Sequence, residues 1–160
     1  MPGLRVSKLI SGGQTGVDRA ALDVAIELGI AHGGFCPRGR RAEDGRIADV
    51  YQLEEIASER YAARTEMNVR TTDGTLILYR DILRGGTRLT YELAREHGKP
   101  CHKVKLDGRA VVAAARRWLA RQGIHTLNVA GPRESQAPGI YGAAREWLMT
   151  LLGTEQVRAR

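Results

Sequence analysis

One arrangement recurs along the chain and limits what it can become: a short apolar run, a turn that carries glycine, then apolar residues at helical spacing. Leu4 to Ile10 reads as a strand. After Ser11-Gly12-Gly13-Gln14-Thr15-Gly16, the residues Val17, Ala20, Ala21, Val24, Ala25 and Leu28 mark one face of an amphipathic helix that Gly29 closes. A short strand is expected near Gly33 to Phe35, followed by an irregular arginine-rich loop through Gly45. Ser58 suits the N-cap of a helix running to about Val69, with Tyr61, Thr65, Asn68 and Val69 on one side. Thr75 to Tyr79 reads as a buried strand, and Arg84-Gly85-Gly86-Thr87 opens a helix carrying Leu89, Leu93 and Ala94. Cys101 to Leu106 is the next strand, and Arg109 to Arg121 a helix whose Val111, Ala114, Ala115 and Trp118 share a face. Thr126 to Ala130 is the last strand, and Tyr141 to Leu152 a helix with Ala144, Trp147, Leu148 and Leu151 inward. Such alternation implies an α/β architecture, a doubly wound parallel sheet with helices on both faces. Ligands of these sheets sit at the carboxyl ends of the strands, so the glycine- and arginine-rich segments should converge on that edge.

The 160 residues suit one domain over residues 1–160, since domains commonly run about 100 to 200 residues. With 42% hydrophobic and 27% charged residues, the chain reads as globular rather than disordered. Its longest apolar stretch, Ala110 to Ala115, falls far short of the roughly 20 residues that span a bilayer. No apolar leader precedes Ser11 either, so a cytoplasmic protein with no membrane partner is expected. Cys36 and Cys101 form no CxxC pair, and His32, His97, His102 and His125 are scattered, so no protein-coordinated metal is expected. The net charge of +7 points to something anionic, and four lysines against 21 arginines favour the planar fork that grips phosphate with two N–H groups. Genomic base composition accounts for most of that excess, so only clustered arginines count. With 5% aromatic residues and no interleaving of basic and aromatic side chains, nucleic acid is a minority reading.

Gly12, Gly13 and Gly16 let the first loop approach a ligand without a Cβ in the way. Together with Gln14 and Thr15 they precede a helix start whose N–H groups, from Gln14 to Val17, are expected to surround one phosphate. The loop lacks the lysine of a P-loop and departs from GxGxxG, so neither an ATPase nor an ordinary dinucleotide enzyme follows. The segment from Cys36 to Arg46 packs Arg38, Arg40, Arg41 and Arg46 around Gly39, compatible with anion recognition and with a solvated surface alike. It misses the Cys-x5-Arg phosphatase loop because Ala42 stands six residues after Cys36. Arg64, Thr65, Glu66 and Asn68, followed by Asp73, Gly74 and Thr75, add a hydrogen-bonding stripe. Glu66 and Asp73 suit acid or base roles and helix-surface or turn roles equally. Gly85-Gly86-Thr87 and the run from Asn128 through Gly131-Pro132-Arg133-Glu134 repeat the strand, glycine, helix arrangement at two more strand ends. The residues alone describe an anion-binding α/β domain.

The blocks SGGQTGVDRAALDVAI, GGFCPRGRRAEDG, YAARTEMNVRTTDGTLIL, GGT and LNVAGPRES, in this order from Ser11 to Ser135, resemble the putative molybdenum cofactor carrier family. That family belongs to a Rossmann-like superfamily including the LOG-type cytokinin-activating phosphoribohydrolases, the so-called lysine decarboxylase-like proteins. The resemblance implies a Rossmann-like fold and a homo-oligomer, a tetramer in relatives. It also implies that the blocks bind molybdenum cofactor (molybdopterin), or another phosphate-bearing small molecule, as a carried or stored ligand, with molybdoenzymes or cofactor-biosynthesis proteins as partners. Part of the apolar surface near Trp118 and Trp147 is expected between subunits. The alternative is a nucleoside 5′-monophosphate phosphoribohydrolase of the LOG type, whose relatives resemble PGGxGTxxE with the glutamate serving N-glycosidic cleavage. Here Thr90 stands three residues after Thr87 and Glu92 two further on. A hydroxyl cannot replace a carboxylate in that step, so a binding role without catalytic residues is expected unless Glu66, Asp73 or Glu134 supplies the acid.

Overall fold

The strand at the centre of the sheet, β9, comes from late in the sequence. The computed structural model describes residues 6–107 and 110–158, with side chains as far as residue 153. Its elements are β1 (Lys8–Ile10), α1 (Val17–Leu28), β2 (Ala31–Gly33), β3 (Phe35–Cys36), β4 (Arg41–Ala42), β5 (Gly45–Arg46), β6 (Glu54–Glu55), α2 (Tyr61–Arg70), β7 (Gly74–Tyr79), α3 (Gly85–Glu96), β8 (Cys101–Lys105), α4 (Ala113–Gln122), β9 (Thr126–Ala130) and α5 (Ile140–Arg158). Five strands form one sheet in the order β2-β1-β9-β7-β8, and every pairing in it is parallel. Counted from β9 through β1 and onward, the order becomes that of a dinucleotide-binding doubly wound sheet whose first strand is supplied last by the chain.

Parallel strands covered on both faces must be apolar throughout. In β7 all residues from Gly74 to Leu78 are buried, and Leu127 and Val129 of β9 are fully buried beside them. On one face α1, α4 and α5 close a single core that includes Val24, Leu119, Trp147 and Leu148; on the other, Val69 of α2 meets Leu93 and Ala94 of α3. Each fully buried leucine or valine contributes about 1.5–3 kcal/mol, so these faces hold the strand ends in place. Helices α1 and α4 both stop at a left-handed glycine: Gly29 at φ 69° and Gly123 at φ 63°. In each case the next residue's N–H donates back into the last turn, Ile30 to Ala25 O and Ile124 to Leu119 O.

Several elements differ from their sequence expectations. The first strand starts at Lys8, and the part expected before Val6 lies outside the described residues. The arginine loop is not irregular. It contains the hairpin β4–β5, and β3, at its start, pairs in parallel with β6 beyond it. Glu43 and Asp44 form the hairpin's two-residue turn, and Gly45, which opens β5, stands at φ 112°. Ser58 does not cap α2; its Oγ accepts the N–H of Arg60, one residue before the helix. Helix α4 begins at Ala113, and its buried residues are Ala115 and Leu119. Val111, expected inward, is 72% exposed, because the helix starts too late to turn it. Arg109 lies outside the described residues. Among the described residues no helix is long and apolar enough to cross a membrane.

Candidate functional site

The carboxyl ends of β1, β9 and β7 release three loops side by side, and a cleft of about 370 Å³ opens among them. Gln14 and Asp18 come from the first, Gly131 and Arg133 from the second, and Gly85, Gly86, Thr87 and Thr90 from the third. Tyr61, Arg64 and Thr65 of α2 form the remaining wall. Four of the five sequence blocks therefore contribute to this cleft, and the arginine-rich block from Gly33 to Gly45 does not line it.

An ion pair organises the floor. Asp18 is buried in the first turn of α1, and its Oδ2 lies 3.3 Å from Arg64 Nη1. Burial pushes the Asp18 carboxyl above the usual aspartate value; Arg64 and the backbone N–H of Gln14 only partly offset it. Arg64 Nε is buried and finds no hydrogen-bond partner among the described residues. The guanidinium also packs 5.7 Å from the Tyr61 ring centre. Gly12 is what makes room for it, since a Cβ there would lie 1.5 Å from Arg64 Nη1.

The first loop turns most of its donors on the protein itself. Gly13 N–H donates to Ser11 Oγ, Thr15 N–H to Gln14 Oε1 and Val17 N–H to Pro132 O, while Gln14 N–H serves Asp18. Three of the four N–H groups from Gln14 to Val17 thus have acceptors in the chain. Gly13, at φ 78°, does not face the cleft either, because its Cβ would meet Leu53 Cδ1 at 2.5 Å. Gly16, also at φ 78°, lets the start of α1 touch the Pro132–Glu134 backbone. By contrast, Cβ atoms at Gly85 and Gly86 would meet nothing closer than Gln136 Nε2 at 4.0 Å. The open glycine turn is the one at α3.

A carboxylate that sequence reasoning overlooked ties the loops together. Glu43, at the tip of β4–β5, accepts from Thr15 Oγ1 and from Ser135 N–H and Oγ, and faces Arg133 Nε at 3.5 Å. Burial works against its charge, but the Ser135 and Thr15 hydrogen bonds prevail and hold its carboxyl below the usual glutamate value. Beside it Asp44 pairs with Arg19 at 2.9 Å, and Arg19 donates to Gly13 O. Nothing in the sequence assigns Glu43 its contacts.

Other expected residues sit elsewhere. Arg40, with φ 53° and 8% exposure, donates to the carbonyls of Ile47, Ala48, Tyr51 and Leu53. Arg41 is exposed and pairs at 3.8 Å with Glu59; Arg38 is exposed, and Gly39 N–H donates to Glu55. None of Arg38, Gly39, Arg40 and Arg41 lines the cleft. Asp73 stands at the opposite edge of the sheet, where the N–H groups of Thr126 and His125 hold its carboxyl below the usual range. Gly74 packs on Ile124 at that edge, and Thr75 accepts from Asn128 inside the sheet. Asn68 pins β3 through Phe35. Glu66 meets His97 at 3.1 Å near the end of α3, and both oxygens of Glu134 accept N–H groups at the start of α5. Glu66, Asp73 and Glu134 therefore have structural partners, and the carboxylate lining the cleft is Asp18. Among the described residues no three His, Cys, Asp or Glu gather as a metal site.

Residues 9–152 match the model of the circularly permutated YpsA SLOG family. The permutation agrees with the strand order, which becomes ordinary when counting starts at β9. A crystal structure of a "putative molybdenum carrier protein" from Syntrophus aciditrophicus is 45% identical and superposes with a TM-score of 0.90, over 94% of this chain and 97% of that one. No curated protein matches the chain.

Proposed function

The chain belongs to the circularly permutated YpsA SLOG family, and from that premise we propose that its cleft holds a phosphate-bearing small molecule, foremost the molybdopterin form of molybdenum cofactor, as a carried ligand rather than a converted one. The observation that carries this reading is the meeting of the open Gly85-Gly86-Thr87 helix start with Arg64 and Arg133 in one cleft. The start of α3 offers positive potential and the Gly85 and Gly86 N–H groups to phosphate, while Thr87 N–H turns back to Arg84 O, and guanidinium groups add charge-assisted hydrogen bonds. The name of the Syntrophus relative supports molybdenum cofactor over other phosphates. The same reading carries a homo-oligomer in the cytoplasm that serves molybdoenzymes or cofactor-assembly proteins.

Gly86→Val tests the site directly. A Cβ at this position points into open space on the cleft wall, with no atom within 4 Å, so the fold should survive with a thermal midpoint close to that of the parent. Native mass spectrometry of both proteins, purified from a molybdopterin-producing host, should show ligand on the parent and little on the variant. Equal loading would remove the α3 turn from the site.

Phosphoribohydrolysis has one observation in its favour, the Asp18 carboxylate in the cleft wall. Against it, Asp18 is engaged by Arg64 and Gln14, and Thr90, at the position of the hydrolase glutamate, returns its hydroxyl to Gly86 O at 2.8 Å. Incubation with AMP should therefore release no adenine above background. Turnover that disappears in Asp18→Asn would assign an enzyme instead.

A further inference from the structure

A second cleft, of about 390 Å³, adjoins the first and shares Gln136 with it. Gln136 is exposed and reaches across the start of α3, its Nε2 lying 4.0 Å from where a Gly85 Cβ would stand. Gln136 is the one residue common to the linings of the two spaces, and its exposed amide lies where they adjoin. The outer space is not a repeat of the inner one. It offers two guanidinium groups, Arg80 and Arg84, one carboxylate, Asp81, and the apolar surface of Ile82, which is 59% exposed. Arg80 is positioned by donating to Pro138 O at 2.7 Å. Asp81 is held at φ 62°, a conformation that costs a non-glycine residue energy and clusters at functional sites, although aspartate tolerates it better than most.

Each feature matches a different part of one chemical class. Guanidinium forks take phosphate oxygens, a carboxylate takes sugar hydroxyls or ring N–H donors, and an exposed branched side chain covers the face of a flat ring. Resting on the carrier reading of the inner cleft, we propose that the ligand is two-part: a phosphate-bearing heterocycle in the inner cleft, joined through a pyrophosphate passing Gln136 to a nucleoside in the outer space. Arg84, at the N-cap of α3, stands where the two phosphates would meet the chain. A monophosphate in the inner cleft alone would leave Arg84, Asp81 and Ile82 untouched, since none of them lines it.

The test uses the full chain, purified from a host that makes molybdopterin both as the monophosphate and linked to a nucleotide. Native mass spectrometry reads the bound mass, and pyrophosphatase treatment of the released ligand reads the attached nucleoside monophosphate. The wild type should carry the nucleotide-linked form at about one nucleotide per pterin. Arg84→Glu, a change at an exposed position, should lower occupancy by that form about ten-fold or more, as expected for replacing a charge-assisted contact by repulsion. A wild type loaded only with the pterin monophosphate would overturn the two-part ligand and leave the inner-cleft reading standing. So would undiminished nucleotide-linked loading in Arg84→Glu overturn the outer space. A wild type without any pterin would overturn the carrier reading, and this inference with it.

Discussion

Arg64→Ala should lower the stability of the protein by about 3 kcal/mol at pH 8 and by clearly less at pH 5, because the variant strands a buried carboxylate. In the parent, Asp18 is already pushed above the ordinary aspartate value by burial, with Arg64 as the principal force in the other direction. Removing the cation leaves the upward push opposed only by the Gln14 N–H and the charge of Arg19. A folded-state pKa above the unfolded one stabilises the fold fully below the ordinary value, and that contribution is lost as pH rises through the raised value. The deficit of the variant must therefore grow with pH across that window. Urea unfolding at the two pH values measures it. Asp18→Asn in the Arg64→Ala background should recover most of the loss at pH 8. The same variant should lose ten-fold or more in ligand occupancy, about the worth of one charge-assisted hydrogen bond of roughly 1.5–3 kcal/mol. A deficit independent of pH would reduce Arg64 to a packing residue.

Arg40→Ala should be as damaging, and for a reason unrelated to ligand. The guanidinium and Nε of Arg40 satisfy four backbone carbonyls between Ile47 and Leu53 from a buried position, and each acceptor left without a donor costs about 1–3 kcal/mol where water cannot replace it. A loss of about 3 kcal/mol is expected, with the 36–56 segment opening first. Arg38→Ala and Arg41→Ala change exposed side chains and should stay within about 0.5 kcal/mol of the parent. Hydrogen exchange resolved along the segment distinguishes local opening from global unfolding. Protection of Ile47 and Leu53 unchanged in Arg40→Ala would defeat this assignment.

The two arginines show what was legible in the sequence and what was not. Periodicity placed the strands and helices because burial on a sheet or helix face forces a spacing of apolar residues, and Thr75 to Leu78 or Ala144 to Leu151 could serve no other element. The convergence of the glycine turns followed from topology. Which turn faces a ligand did not follow, because glycine is demanded equally by a passing anion, by a guanidinium packed above Gly12 and by Leu53 packed against Gly13. Clustered arginines were equally ambiguous, since a guanidinium binds carbonyl oxygens as readily as phosphate oxygens. Asp73, Gly74 and Thr75 follow Asn68 closely in sequence, yet they enter β7 at its amino end, so the strand's length carries them away from the cleft. Asp18 had only a place in the first turn of a helix to recommend it, where a carboxylate is commonplace.

The position of β9 also bears on how the protein is made. Strands β1 and β2 can pair as soon as they leave the ribosome, and β7 and β8 can do the same, but neither pair touches the other except through β9. Until residues 126–130 are synthesised, β1 and β7 each present an unpaired parallel edge, the kind of template on which nascent chains associate wrongly. Insertion of β9 then joins both halves and brings Gly131 and Arg133 to the cleft in the same step. The nascent chain thus lacks two walls of its cleft, and is exposed to misassembly, until its last strand arrives.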